Sequence, residues 1–114
     1  MDSYDDKTNL YKVRKTVFKM LDDRGYIVSH KDKSETLESF TRDFKGIKEL
    51  TLIVSRKDDS NDQLYVEFSD NAKLGVTDIS NFAETLHKEG VKTGIIINKG
   101  SITPLAKMVL LIFT

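Results

Sequence analysis

The chain of 114 residues has no cysteine, no tryptophan, one proline, and six glycines that occur singly. Without cysteine there is no disulfide framework, thiolate zinc site, iron–sulfur cluster or thiol nucleophile. Single glycines exclude a phosphate-cradling glycine loop and a dinucleotide-binding fingerprint. The longest apolar run, Met108–Phe113, has six residues, whereas a membrane helix needs about 20. We therefore expect no cofactor, no membrane partner and no small-molecule substrate.

Charge is abundant but balanced, with 18 Lys and Arg against 18 Asp and Glu. Six Phe and four Tyr, within a hydrophobic content of 39%, predict one domain with a packed core. The charge is unevenly distributed: residues 1–33 carry 8 basic and 6 acidic side chains, residues 34–91 carry 7 and 12, and residues 92–114 carry three lysines and no acid. Neutrality excludes the strongly basic domain that is typical of autonomous nucleic-acid binding.

Hydrophobic periodicity predicts an α/β domain in the order ααββαβα, with a small mixed sheet flanked by helices. The first helix is predicted over Asp6–Arg24, and Gly25 follows as its left-handed cap. A second helix is predicted from Asp32, where a Glu three residues later completes a capping box, to Gly46.

The central segment predicts β-structure. Leu50–Ser55 and Gln63–Phe68 are β-rich runs separated by a polar turn, which predicts an antiparallel hairpin with a loop of seven residues. A third helix, capped by Thr77 or Asp78, leads to the continuous apolar run Thr93–Asn98. Such a run is typical of a buried strand, and the crossover places it parallel to the second strand in one sheet.

Thr103-Pro104 has the signature of a helix start, with Thr as the N-cap and Pro at the first helical position. It predicts a fourth helix over the apolar end of the chain. Lys99 and Lys107 flank this start, and its backbone N–H groups would favour a phosphate. A good cap beside solvated lysines explains the same residues, so both interpretations stay open.

A second basic cluster, Lys12, Arg14, Lys15 and Lys19, lies on the first helix. Steps of three and four residues place Lys12, Lys15 and Lys19 on one face. This pattern is compatible with a face that docks onto an acidic partner, with a nucleic-acid contact, or with a solvated surface.

A metal-dependent nuclease is the enzyme class suggested by a small sheet flanked by helices. Its site needs two carboxylates for Mg²⁺ and a lysine near the attacking water, arranged on a strand as Glu-x-Lys. Glu67 lies on a predicted strand, but Ser69 stands where the lysine belongs, and Asp58, Asp59 and Asp62 fall in the hairpin turn. We predict no catalytic residue and no metal site, and keep an atypical nuclease as an alternative.

Six stretches occur in the order and with nearly the spacing of one known family. They are Leu10–Thr16, Asp23–Tyr26, Leu64–Asp70, Gly75–Val76, Thr93–Ile96 and Ile102–Ala106. With them the chain resembles the amino-terminal jaw domain of the fifth subunit common to eukaryotic nuclear RNA polymerases I, II and III. No single stretch is specific, but the ordered set is.

The resemblance implies a restriction-endonuclease-like core without catalytic residues, in the lower jaw of a nuclear polymerase beside downstream duplex DNA. The family turn nearest that DNA, Thr-Pro-Ser-Ala, corresponds to residues 103–106, where Leu105 replaces the Ser and removes a hydroxyl group. The expected DNA-proximal residues are Lys99, Gly100, Ser101, Thr103, Pro104, Ala106 and Lys107.

The resemblance also implies the partners: other polymerase subunits, chiefly the largest, general transcription factors, and downstream DNA held weakly and without sequence preference. Family members continue into a carboxy-terminal assembly domain that nothing here matches. We therefore expect residues 1–114 to be a single jaw domain, either a fragment or a naturally truncated form, that does not assemble stably by itself; the uncapped apolar end favours the fragment. A purely protein-binding module, using the first-helix cations or the acidic middle segment, remains a further hypothesis.

Overall fold

A four-stranded mixed sheet with helices packed on it organises the described part of the chain, residues 3–69, 75–99 and 106–112 of a computed structural model. In chain order the elements are α1 (Ser3–Asp23), α2 (His30–Ser34), α3 (Leu37–Asp43), a 3₁₀ helix (Ile47–Leu50), β1 (Leu52–Ser55), β2 (Gln63–Ser69), α4 (Val76–Glu89), β3 (Thr93–Lys99) and β4 (Ala106–Ile112). The predicted class, a small mixed α/β domain, is confirmed.

The strands lie in the order β1-β2-β3-β4. Strands β1 and β2 form the predicted antiparallel hairpin, and β2 and β3 run parallel as the crossover through α4 predicts. Strand β4 pairs antiparallel with β3 from Thr93↔Ile112 to Lys99↔Ala106. Parallel pairing places the carboxyl ends of β2 and β3 at one edge of the sheet, where Ser69 lies opposite Asn98.

The larger core lies between α1 and one face of the sheet. Alternation along β2 puts its even-numbered apolar residues on this face. The buried residues of this core are Val17, Phe18, Leu21, Val28, Phe40, Leu50, Val54, Leu64, Val66, Phe68, Ile95 and Ile97. Helix α1 presents its buried stripe here because its apolar residues recur at helical spacing.

Helix α4 covers part of the opposite face. Phe82 and Leu86 from the helix pack with Ile96 and Val91 in a second core, and the Tyr65 ring lies 5.7 Å from that of Phe82. The helix ends at Gly90, whose φ of 72° is the left-handed cap expected of a glycine there. It begins after Gly75 rather than after Thr77 or Asp78, two or three residues earlier than predicted.

The predicted second helix is wrong in its extent, because the structure has two short helices there. Ser29 caps α2 by accepting a hydrogen bond from the Asp32 N–H at 3.1 Å, and Thr36 caps α3 by accepting from the Ser39 N–H at 3.1 Å. A hydroxyl within the segment thus offers the backbone a competing partner. The chain at Glu35 is extended, with ψ of 133°, so one helix cannot continue.

The predicted fourth helix is also wrong, because Ala106–Ile112 is the strand β4. A short apolar run does not by itself distinguish a helix from a strand. The backbone of β3 would be unpaired on one side without a neighbouring strand, and β4 supplies that partner. The order of described elements is therefore αααββαββ, with a brief 3₁₀ helix before β1.

Within residues 3–69 and 75–99, no helix is both long enough and apolar enough to cross a membrane.

Candidate functional site

The basic cluster of α1 is divided by the structure into two pairs. Arg14 and Lys15 are partly buried and face α2 and α3, whereas Lys12 and Lys19 are exposed. Residues 12 and 19 are seven apart, so they share the outer face of the helix. The sequence pattern showed the spacing of these cations, but it did not show which of them bind other groups within the domain.

Arg14 connects three elements inside the domain. Its guanidinium binds the carboxylate of Glu35 and lies 3.7 Å from the nearer Asp32 oxygen. The same group lies 4.7 Å from the ring centre of Phe18 and 5.6 Å from that of Phe40. Only 13% of the side chain is exposed, so Arg14 is positioned to hold helices together rather than to meet a partner.

Lys15 is also occupied within the domain. Its ammonium group donates to the backbone carbonyls of Lys33 and Glu35, the latter at 3.2 Å, and the Tyr11 hydroxyl donates to the same Glu35 carbonyl at 2.8 Å. Carbonyls at a helix end lack partners within the helix, and a lysine is favoured beside them.

Lys12 and Lys19 are the members of this cluster that face solvent. Neither side chain pairs with another residue in the described ranges 7–69 and 75–97. A shallow depression of about 350 Å³ adjoins Lys19 and is also lined by Lys15 and Lys33. Asp22 accepts from Lys33 at 3.1 Å and backbone carbonyls accept from Lys15, so Lys19 is the lining cation without a partner among the described residues.

Three of the predicted DNA-proximal residues, Lys99, Ala106 and Lys107, lie at the paired ends of β3 and β4. Lys99 ends β3, and Ala106 and Lys107 begin β4, with Lys99 opposite Ala106 and Asn98 opposite Lys107 in the register. Their backbones are thus adjacent, although Lys107 lies on a strand and not on a helix. Gly100, Ser101, Thr103 and Pro104 lie outside the described residues.

Glu67 lies in a groove of about 660 Å³ between β2, α4 and the 3₁₀ helix. Its odd-numbered position on β2 points it to the α4 face of the sheet, beside Tyr65. Burial raises the pKa of the Glu67 carboxyl, and the charge of Lys48 partly offsets this effect. Burial and the charges of Glu67 and Glu89 likewise raise the pKa of Tyr65.

The acids proposed for a nuclease are not gathered around Glu67. Asp58 and Asp62 lie beside the Arg56 guanidinium at 3.4 and 3.7 Å, and Asp59 accepts from the N–H of Asn61 at 3.0 Å. Glu67 lies five residue steps along extended chain from Asp62, a distance of roughly 16 Å. In the described part of the chain, no three His, Cys, Asp or Glu side chains are placed to hold a metal ion.

The groove also contains residues that sequence reasoning missed. Lys48 comes from the 3₁₀ helix and Asp78 from the first turn of α4, where its carboxylate accepts from the Gly75 N–H at 2.9 Å. One sequence signal for this groove was available: the alternation along β2 places its odd-numbered residues, which include Tyr65 and Glu67, on the same face of the sheet. The 3₁₀ helix and α4 complete the groove, but they are distant from β2 in the sequence, so no sequence pattern indicated that they would meet there.

The fold and these surfaces define a mixed α/β domain with a half-covered sheet face and a charged exterior. The family model described as "RNA polymerase Rpb5, N-terminal domain" matches residues 5–86. The chain belongs to this family.

Similar proteins carry the corresponding names. A Dictyostelium discoideum protein named "DNA-directed RNA polymerases I, II, and III subunit rpabc1" is 36% identical over 110 residues, covering 96% of this chain and 54% of the relative. A Caenorhabditis briggsae protein named subunit RPABC1 of the same polymerases is 31% identical over 106 residues, covering 86% and 50%. An Arabidopsis thaliana "DNA-directed RNA polymerase subunit 5-like protein 1" is 32% identical over 114 residues, covering 94% and 54%. The chain spans about half the length of these relatives.

Proposed function

We propose that the chain is a non-catalytic domain of a DNA-directed RNA polymerase subunit and works in the nucleus as part of that enzyme's lower jaw. The observation that carries this proposal is the family match over residues 5–86. The names of the relatives support other polymerase subunits as its partners. Within this proposal, the largest subunit is its chief partner and general transcription factors dock on its surface. The domain contributes position and surface, and the polymerase contributes the chemistry.

The proposed DNA contact lies where β3 ends and β4 begins. The register brings the backbones of Lys99, Ala106 and Lys107 together at one edge of the sheet. Lysines near phosphates position a protein on duplex DNA without reading sequence. With two such contacts, the affinity should fall with a log–log salt slope of about −2, from −0.9 per neutralised phosphate.

The test measures binding of the chain to a short DNA duplex across a salt series. The reversal Lys99→Glu with Lys107→Glu is compared with a matched reversal, Lys12→Glu with Lys19→Glu, which changes the net charge equally. We expect the parent to bind weakly. Reversal of Lys99 and Lys107 should reduce the magnitude of the salt slope by about 2, and reversal of Lys12 and Lys19 should leave the slope unchanged. Equal losses for both pairs would show a general charge effect and contradict the DNA contact.

Two further outcomes would replace this proposal. Tight binding to one DNA sequence would indicate a specific DNA-binding domain. Cleavage of supercoiled plasmid in the presence of Mg²⁺, abolished by Glu67→Ala, would indicate the atypical nuclease.

Docking of a partner protein through α1 is the second candidate function, favoured by the exposure of Lys12 and Lys19. Both cations face solvent on one side of the helix and have no described partner. Its test is transcription by polymerase that carries each charge-reversed pair. Loss of transcription with the α1 pair alone would support docking, and loss with Lys99 and Lys107 alone would support DNA guidance.

A further inference from the structure

The groove beside α4 combines an apolar floor with an acidic wall. Ile96 and Phe82, which are almost fully buried, form part of the floor, and Tyr65 extends it toward solvent. The carboxylates of Glu67 and Asp78 line the groove, and Lys48 is the cation among its described lining residues. The lining therefore carries a net negative charge above an aromatic and aliphatic surface.

Glu67 is the unusual group of this groove. Its carboxylate is half-buried, and no described residue donates a hydrogen bond to it or forms an ion pair with it. Lys48 acts on it only through its charge, because the two groups are not within ion-pair distance. A partly desolvated carboxylate without a donor is costly in a folded protein. The cost is recovered when a cationic donor enters the groove.

We propose that this groove binds an arginine side chain from a basic segment of a partner protein. The guanidinium binds Glu67 and lies against the exposed part of the Tyr65 ring, while the methylene groups cover the apolar floor. Arginine suits this arrangement because its planar, weakly hydrated head both pairs with carboxylates and stacks on aromatic rings. Asp78 adds a second negative charge at the rim.

The charges of the groove distinguish this occupant from the alternatives. A phosphate or an acidic peptide would meet two carboxylates against one lysine. A metal ion would require more oxygen ligands than the described residues bring together. The inference does not rest on the polymerase assignment, since it uses only the groove and its charges.

The test uses short capped peptides as probes, followed through the backbone amide resonances of the chain. The three probes are acetyl-Leu-Arg-Leu-amide and its counterparts with Ala or Glu in the middle. We expect saturable shifts with the Arg peptide, confined to β2, α4 and the 3₁₀ helix. Binding should weaken about tenfold in Glu67→Gln, which removes the charge of the acceptor but keeps its shape.

Glu84→Gln is the matched control, because Glu84 lies on the exposed side of α4 and its loss changes the net charge equally. Thr85→Lys, which places a cation on the groove wall, should abolish binding of the peptide while leaving Glu67 intact.

Several results would overturn the inference. The first is an Ala peptide that binds as tightly as the Arg peptide. The second is a Glu84→Gln variant that weakens binding as much as Glu67→Gln. The third is the absence of any saturable shift in this region with the Arg peptide. Shifts in the groove caused by Mg²⁺ alone would assign the site to a metal, and shifts that depend on protein concentration without peptide would assign it to a second copy of the chain.

Discussion

Gly94 lies directly against the Phe82 ring, and a Cβ atom built on this glycine would stand 2.6 Å from the ring's Cζ and 2.8 Å from a methyl carbon of Leu86. Such distances are well inside van der Waals contact. Helix α4 packs closely on β3 because no side chain is present at that position. The same Phe82 ring that contacts Gly94 also lines the groove beside α4, so the shape of the groove depends on this close approach.

Gly94→Ala should therefore destabilise the domain by about 1–3 kcal/mol, because the added methyl group must push α4 away from the sheet. Urea denaturation of the two proteins measures the difference. Gly75→Ala is the control: its Cβ would meet only a carboxylate oxygen of Asp78 at 3.8 Å, and it should cost no more than about 1 kcal/mol through the changed N-cap. Equal losses in both variants would contradict the close-packing explanation.

The sequence predicts the hairpin, the parallel crossover and helix α4 because their signals are local. A polar loop of seven residues separates two β-rich runs, and Gly90 ends a helix at the position where it takes a positive φ. The sequence does not predict the break at Glu35 or the strand β4. At Glu35 two hydroxyl caps compete with one continuous helix, and β4 is defined by its pairing with β3.

The site residues, like the fold, could be predicted from the sequence only where the signal is local. Sequence spacing identifies the cations of α1, but the carboxylate that occupies Arg14 belongs to Glu35, 21 residues away. Glu67 is recognisable on its strand, whereas Lys48 and Asp78 reach the same groove from distant elements. Long-range contacts of this kind are fixed by packing, which leaves no periodic mark in the chain.

Arg14→Ala should lower the free energy of unfolding by about 2 kcal/mol, because the change leaves Glu35 partly buried without its cation and removes the contacts with two rings. Lys12→Ala, on the exposed face of the same helix, should stay within about 0.5 kcal/mol of the parent. Chemical denaturation measures both. In a double-mutant cycle, Glu35→Gln should cost much less once Arg14 is absent. Additive losses would show that the two residues act independently.

Asp22 should stabilise the domain at neutral pH and lose that effect in acid. The ammonium groups of Lys33 and Lys57 each lie 3.1 Å from the same Asp22 oxygen, and their hydrogen bonds, that of Lys33 first, lower the pKa of this carboxyl. A carboxyl with a lower pKa in the folded state stabilises above its unfolded pKa and loses this contribution as pH falls through the folded value.

Asp22→Asn should accordingly be less stable than the parent at pH 7, and the difference should shrink as pH falls below the unfolded pKa and through the lowered folded-state pKa. Urea midpoints at a series of pH values measure it. Added salt should reduce the difference at neutral pH, since these groups are exposed. A difference that persists in acid would indicate a structural effect of the amide rather than the loss of a charge.

Glu67 should give the opposite pH dependence. Burial raises the pKa of its carboxyl in the folded state, so the folded protein binds a proton more readily than the unfolded chain. Stability related to this group is then greatest at low pH and falls as pH rises through the raised pKa. Glu67→Gln should be more stable than the parent at pH 7, and this advantage should shrink on acidification and vanish below about pH 4.

Urea midpoints across this pH range test the prediction, with Glu84→Gln as a control that should show no such trend. A saturating concentration of the Arg peptide should reverse the order at pH 7, because only the ionised carboxylate gains a cationic partner on binding. If Glu67→Gln were less stable than the parent at pH 7 without peptide, the carboxylate would already have a stabilising partner within the chain. In that case the groove would not be open to an external arginine.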